Sequence, residues 1–484
     1  MGTRRILSIS VAEKYSLFFI NFISSAIIAR ILTPDQIGLF SIAAIFVGFA
    51  HILRDFGITQ YVIREPDLNE EKLRLSHGLT LLMGWGVALS LLLLSVPLAE
   101  LYDNGELTNI VLVLALNFLV VPFGSVLTAW LRRNFQFGYM YFVRLTDKIV
   151  SVGTAIGLAL AGFGAISLAW AAPAGTVAGI LILHLRRPEG FPVLPRFRGV
   201  SGIARFSGFT TGSSILTELS RGSPELFLGK AAGMEAAGLF TRAEGIREIF
   251  QRLVTSAVHP VAGPLFGKEM RDYGERGTLP LFLRATELMI GIGWPFFTVA
   301  AVLMDALVPV IYGAQWIPSI PIAQVLCIAG MVQLVTSLIP QLLVTNNYTR
   351  ELFKSQAVSN GIGLLLIGIA SIFGLLFVAF AVIGMQLIRA FTLNRVLTEK
   401  LGLSLLDTRT GLVRGAVVTV ATAGPLVLFQ GFGLLPEPDL LYLACGILLA
   451  AVAWLLSVAL TNHPLWAEIR VYLVPYITSP NRNL

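Results

Sequence analysis

Residues 210–260, TTGSSILTELSRGSPELFLGKAAGMEAAGLFTRAEGIREIFQRLVTSAVHP, read as two membrane-spanning segments that carry Glu218, Arg221, Glu225, Arg242, Glu244, Arg247, Glu248 and Arg252. The chain around this stretch avoids charge. Ionisable side chains at bilayer depth cost about 3 kcal/mol each on insertion scales, so they persist where they face a polar cavity or one another. The functional centre is therefore expected here.

Composition fixes the solvent. Of 484 residues, 55% are hydrophobic and only 13% charged, with a mean hydropathy of +0.78, whereas soluble chains carry about 25% charge. Crossing roughly 30 Å of hydrocarbon takes about 20 apolar residues, and about fourteen such runs follow one another, leaving no room for a soluble domain. The spans drawn over the charged regions are 138–161, 204–228 and 236–260. Residues 1–5 are a short basic start, and the next run contains Glu13, Lys14 and Asn21 without a small-residue cleavage site. That run is read as a retained first helix rather than a signal peptide. Cys327 and Cys445 lie in apolar segments and read as small hydrophobes, not as a disulfide or metal pair.

Lys and Arg alternate between loops. One side collects Arg4, Arg5, Arg64, Lys72, Arg74, Arg132, Arg133, Arg186, Arg187, Arg196, Arg198, Lys268, Arg271, Arg276, Arg350, Lys354, Arg395, Lys400, Arg409, Arg470 and Arg482, and the other holds Arg30 and Lys230. Loops on the poor side are acidic, with Glu100, Asp103, Glu106, Asp305, Glu437 and Asp439. Because cytoplasmic loops accumulate basic residues, both termini are expected in the cytoplasm. The +7 net charge is spread over many patches, which excludes a nucleic-acid face.

A shift of 200 residues lays Ala29 to Phe40 over Gly229 to Phe240, each with a basic residue, an acidic one and then Gly-Leu-Phe. Tyr102 to Asn134 and Tyr312 to Asn346 echo each other as proline-interrupted helices ending in Asn. Six spans per copy give parallel repeats about an axis along the membrane normal, an arrangement found among transporters. The expected fold class is an all-α integral membrane protein: a six-helix lobe over 1–200, a second over 201–400, and two extra helices with a tail over 401–484.

The polar residues fall at helical spacing. Thr211, Ser214, Glu218, Arg221 and Glu225 line one face of the seventh span, and Thr241, Glu244, Glu248, Gln251 and Thr255 one face of the eighth. The first half offers Lys14, Asn21 and Ser25 on the first span, His51, Arg54 and Asp55 near the end of the second, and Arg144, Asp147, Lys148, Ser151 and Thr154 on the fifth. Cations match or outnumber anions, which favours an anionic headgroup such as a pyrophosphate, whose oxygens suit guanidinium groups. The blander alternative is that Glu218 with Arg221, Glu244 with Arg247 and Glu248 with Arg252 neutralise each other within their helices. Arg54, Asp55, Arg284 and Arg389, near helix ends, are read as snorkelling to the interface, and His51 and His77 as local hydrogen-bonding residues. No G-x-x-x-x-G-K-[ST], H-E-x-x-H or G-x-S-x-G motif occurs, so no catalytic residue, metal or cofactor is expected and the chain is not read as an enzyme.

With its repeated six-helix halves, Ala29-Arg30-Ile31-Leu32-Thr33, Gly38-Leu39-Phe40 and charged seventh and eighth spans, the chain resembles the multidrug/oligosaccharidyl-lipid/polysaccharide exporter superfamily. Within it, the chain is most similar to the bacterial polysaccharide flippases of O-antigen, capsule and exopolysaccharide assembly. The resemblance implies a V-shaped pair of lobes in the bacterial inner membrane and alternating access. Its implied substrate is an undecaprenyl-pyrophosphate-linked oligosaccharide moved from the cytoplasmic to the periplasmic leaflet. Arg221, Arg247, Arg252, Arg144 and Lys148, with Arg242 and Lys14, are then the candidate substrate-binding cations. Glu218, Glu244, Glu248 and Asp147 are candidates for holding those cations or taking up a coupling proton or sodium ion. Membrane lipids and a polysaccharide polymerase are the candidate partners. A cation-coupled drug antiporter of the same superfamily would need an anionic site, and a membrane polysaccharide polymerase or ligase would need a sizeable external loop. A scaffold without transport leaves the buried charge unexplained.

Overall fold

The computed structural model describes residues 3–55, 57–188, 191, 194–197, 208–432 and 440–470, with the side chains of 3–11, 208–214, 216 and 276 outside that description. Thr211 and Ser214 therefore fall outside the described side chains, as do Arg4, Arg5, Arg198, Arg276, Glu437, Asp439 and Arg482. Every regular element among the described residues is helical, and the chain divides into two compact units, Met1–Gly238 and Leu239–Leu484.

The first unit contains α1 (Thr3–Ile31), α2 (Pro34–Asp55), α3 (Ile58–Arg64), α4 (Glu70–Leu101) and α5 (Glu106–Val120). They are followed by α6 (Pro122–Arg133), α7 (Phe137–Leu160), α8 (Ile166–Leu185), α9 (Gly208–Ala231) and the start of α10 (Met234–Phe250). The second continues through a π turn at Gln251–Thr255, α11 (Ser256–Tyr273), α12 (Glu275–Val302), α13 (Met304–Tyr312) and α14 (Ile320–Thr336). It ends with α15 (Ile339–Thr345), α16 (Thr349–Ser371), α17 (Leu375–Leu401), α18 (Arg409–Gly431) and α19 (Leu440–Leu460).

Among the described residues, ten helices are long and apolar enough to cross a membrane, or eleven if α5 and α6 count as one bent span. The chain is a multi-pass membrane protein. The sequence-expected spans over 138–161, 204–228 and 236–260 are missing from that set for one physical reason. Helices α7, α9 and α10 carry the charges Arg144, Asp147 and Lys148, then Glu218, Arg221 and Glu225, then Arg242, Glu244, Arg247 and Glu248.

In the first unit, Leu39, Ile42, Leu91, Leu107, Ile110, Leu114, Phe118 and Ala169 bring α2, α4, α5 and α8 onto one apolar core. A second core of Leu127, Leu131, Met140 and Leu183 joins α6, α7 and α8. Pro122 opens α6 at a position where its missing N–H leaves no bond unmade, and the axes of α5 and α6 differ by 50°. Arg133 ends α6 by donating from Nη1 to the Val62, Ile63 and Glu65 carbonyls and from Nη2 to that of Pro66, tying α6 to α3.

Two local geometries recur at the positions where the sequence suggested duplication. Asn134 (φ −91°, ψ 15°) and Asn346 (φ −90°, ψ 16°) each follow a short half-helix and donate from Nδ2 to the carbonyl four residues back, at 2.8 Å. Phe135 and Asn347 then take φ of 56° and 63°, and the N–H of Gln136 and of Tyr348 bonds the carbonyls of Leu131 and Leu343. This is the six-to-one closure of a Schellman cap, here built without glycine.

The Gly-Leu-Phe hairpins meet within the first unit. A Cβ at Gly38 would stand 1.8 Å from the Met234 carbonyl oxygen, and one at Gly238 would stand 1.9 Å from that of Pro34. The two helix starts cross backbone to backbone, in a reciprocal contact that only glycine permits. Farther along, Ile45 and Ile42 of α2 fill the space at Gly222 and Gly229 of α9.

In the second unit, Leu303, Ala306, Leu426, Tyr442 and Leu443 pack α18 and α19 against the α12–α13 corner. Trp454 Nε1 donates to the Gly291 carbonyl at 2.9 Å, and the rings of Phe250, Phe296 and Phe297 meet in tilted and edge-to-face contacts where α10 meets α12.

Candidate functional site

A polar cavity of about 400 Å³ lies inside the first unit. Six helices, α2, α3, α5, α6, α7 and α8, line it, with α6 leaving α5 at a 50° bend. Helix α2 contributes His51, Arg54 and Asp55, α5 and α6 contribute Asn117, Ser125, Thr128 and Arg132, and α7 contributes Arg144 and Asp147. Helix α8 closes the far side with Thr176 and Gly179.

Three arginines face two carboxylates across this space. Arg54 Nη2 is 3.7 Å from Asp55 Oδ1, beyond hydrogen-bond reach. Arg132 has no ion pair among the described residues, and Arg144 Nη1 pairs with Glu13 Oε1 of α1 at 2.5 Å. The His51 ring lies 4.7 Å from that of Phe118. Asn117, one of the lining residues, is buried, and its Oδ1 has no hydrogen-bond partner among the described residues, so it is a polar group unsatisfied by the fold itself.

Asp147 is seated by a notch in α8. A Cβ at Gly175 would stand 2.5 Å from Asp147 Oδ1 and 2.7 Å from its carbonyl oxygen, and one at Gly179 would be 3.2 Å from the Asp147 Cβ. Glycines four residues apart share a helix face, so α7 and α8 approach closely there. A Gly175→Leu variant is expected to displace Asp147 and part the two helices, lowering the midpoint of thermal unfolding in detergent by several degrees. Overpacking of this kind costs about 1–3 kcal/mol.

The charges of residues 210–260 are arranged otherwise. Arg221 pairs with Glu218 of its own helix at 2.6 Å, with Arg221 61% and Glu218 17% exposed. Arg247 bonds Glu244, with Nε at 2.7 Å from Oε1, and Arg252 Nη2 reaches Glu248 Oε2 at 3.0 Å. Arg242 lies over the faces of Tyr312 and Trp316, its guanidinium 5.3 and 5.2 Å from the ring centres. Each of these cations thus meets a carboxylate or aromatic partner on its own or a neighbouring helix. Lys14 and Lys148 are half-buried on α1 and α7, outside the cavity lining.

Of the sequence-selected residues, Arg144 and Asp147 come together in the cavity. Arg54, read from its place near a helix end as snorkelling outward, turns inward to line the cavity with a side chain only 15% exposed. Glu13, Asn117 and Arg132 stand outside the candidate residues that the sequence marks. Asn117, the lone polar residue of an apolar run, carried a readable signal, whereas Arg132 resembled any other loop-end cation. No cluster of three or more His, Cys, Asp or Glu suited to a metal ion occurs among the described residues.

A family model described as polysaccharide biosynthesis protein matches residues 27–321. The lipopolysaccharide biosynthesis protein WzxC of Escherichia coli K12 is 24% identical over 348 residues, 69% of this chain and 68% of that protein. The succinoglycan biosynthesis transport protein ExoT of Rhizobium meliloti is 26% identical over 342 residues, 69% of this chain and 67% of that protein. The teichuronic acid biosynthesis protein TuaB of Bacillus subtilis is 24% identical over 318 residues, 65% of each chain. The matches thus span about two thirds of each relative's length. Among solved structures, the Lipid II flippase MurJ in an inward closed conformation aligns with a TM-score of 0.76 at 11% identity, over 95% of this chain and 99% of that one. An inward-facing multidrug resistance MATE family transporter of the MOP superfamily aligns with a TM-score of 0.55 at 13% identity, over 81% and 96%. At these identities the likeness to solved structures establishes the fold alone.

Proposed function

The chain belongs to the polysaccharide biosynthesis protein family, and on that premise we propose that it is a flippase for undecaprenyl-pyrophosphate-linked oligosaccharide units. It carries them from the cytoplasmic to the periplasmic leaflet of a bacterial inner membrane. The observation that carries this reading is the cavity where Arg54, Arg132 and Arg144 converge with an unsatisfied Asn117. Guanidinium groups present forked donors that match phosphate oxygens, and a lining of three arginines against two carboxylates suits an anionic headgroup rather than the cationic substrates of a drug antiporter. The names of the relatives, in lipopolysaccharide, succinoglycan and teichuronic acid biosynthesis, support a polysaccharide precursor as the cargo.

The same reading takes the chain as fourteen spans with both termini in the cytoplasm, in six-helix repeats over 1–200 and 201–400 with two helices added over 401–484. Alternating access moves the headgroup while the lipid tail stays in hydrocarbon. Arg221, Arg242, Arg247 and Arg252, with Lys14 and Lys148, provide further cations along the path. Glu218, Glu244, Glu248 and Asp147 hold the cations or couple transport to a proton or sodium ion, and a polysaccharide polymerase receives the product. The test is deletion of the gene, which should leave lipid-linked oligosaccharide accumulated in the cytoplasmic leaflet and remove the surface polymer. Unchanged polymer and no accumulation would overturn the reading.

A further inference from the structure

Beyond the last turn of α8 the chain folds back onto the first unit. Arg187 Nη2 donates to the Phe191 carbonyl at 2.7 Å, and the Phe191 ring meets Trp130 edge to face, 6.0 Å between centres. Phe191 packs against both apolar clusters that α6 joins. Farther on, Arg196 N–H donates to the Arg74 carbonyl at 2.9 Å and its guanidinium pairs with Glu71 at 2.7 Å. The approach depends on Gly78 of α4, where a Cβ would stand 2.1 Å from the Arg196 carbonyl oxygen.

The Phe191 contacts back α6, a short helix that also lines the cavity, and the Arg196 contacts anchor the same segment on α4. On α6, Val126, Leu127, Ala129 and Trp130 belong to the clusters that take Phe191, while Ser125, Thr128 and Arg132, spaced three and four apart, line the cavity. Helix α6 has only 12 residues and leaves α5 at a 50° bend. A helix of three turns has little stability of its own and takes its position from what packs on it.

We propose that Phe191 is a positioning residue, clamping α6 from behind so that Thr128 and Arg132 hold the shape of the polar cavity, that Arg196 anchors this clamp on α4, and that release of the clamp opens the cavity wall. The proposal rests on the reading of that cavity as the place where substrate phosphate is bound. Its mechanical part concerns the wall alone and can be measured apart from substrate.

The experiment uses the full chain with Cys327→Ser and Cys445→Ser, and with Thr128→Cys as reporter. Labelling by a membrane-impermeant maleimide is followed in inverted vesicles, with and without inorganic pyrophosphate. Phe191→Ala and Gly78→Leu should each speed labelling at least threefold, and Phe191→Tyr should restore the parent rate. Only protein that remains inserted and monodisperse in detergent is compared. If Gly78→Leu fails that criterion, Arg196→Gln takes its place, with a smaller acceleration expected. Equal rates in the parent and the loosened variants overturn the proposal. Faster labelling in the variants with no pyrophosphate protection in the parent upholds the clamp and overturns the phosphate reading.

Discussion

A Gly38→Leu variant is expected to lose polysaccharide export, falling at least tenfold below the parent, and Gly38→Ala to lose most of it. The Cβ that either substitution adds would lie 1.8 Å from the Met234 carbonyl oxygen and 2.7 Å from the Gly238 nitrogen. Both are backbone atoms that no rotamer change can move. The starts of α2 and α10 must part by more than an ångström, because real Cβ atoms do not come within 3.0 Å of such neighbours. Parting them also lifts Ile42, fully buried, from its seat at Gly229. Gly238→Ala should reproduce the defect, since its Cβ would meet the Pro34 carbonyl oxygen. Neighbouring substitutions that strain one contact are not additive, so Gly38→Ala with Gly238→Ala should cost less than the two separate losses combined. Export by whole cells and the amount of protein in the membrane are the two measurements. Full export by Gly38→Leu would show that the crossing is dispensable.

The second large effect is expected at the cavity arginines. Arg54→Gln and Arg144→Gln should each lower export about tenfold to a hundredfold while the protein remains inserted, because one hydrogen bond to a charged group is worth about 1.5–3 kcal/mol. Arg144→Lys should rescue little, since an ammonium offers a point charge in place of a fork. Arg221→Gln provides the contrast. Its side chain is 61% exposed and already joined to Glu218 of the same helix, whereas that of Arg54 is 15% exposed and without a hydrogen-bonded carboxylate. A severe export defect in Arg221→Gln beside a mild one in Arg54→Gln would move the site from the cavity to residues 210–260.

Much of the fold was legible because hydrocarbon imposes a strong pattern. Long apolar runs marked the uncharged helices, and the Gly-Leu-Phe echo pointed to Gly38 and Gly238, which the structure brings into reciprocal contact. The Asn-terminated half-helices were legible for a similar reason, proline and asparagine each having one strong local effect. The cavity was only half legible. Charge inside α7 identified Arg144 and Asp147, but Arg54 turns inward to line the cavity, and no feature of α2 alone records which helices pack beside its end. The intrahelical pairs at Glu218, Glu244 and Glu248 follow from spacing, as the blander sequence reading allowed.

The polar stripe drawn through Thr241, Glu244, Glu248, Gln251 and Thr255 assumed one unbroken α-helical register. The π turn at Gln251–Thr255 breaks it, leaving Gln251 exposed and Thr255 buried. Each α-helical residue turns about 100° around the axis, and a π turn accommodates one residue more than the helix on either side requires. The segment is thus a store of chain length. Removing one residue there would let the turn close into α geometry with α10 and α11 keeping their faces, whereas the same deletion elsewhere in α10 would rotate everything after it. Relatives that differ in length by one residue can absorb the difference at this turn, and an alignment that places the gap elsewhere would assign the wrong partners to every side chain of α11.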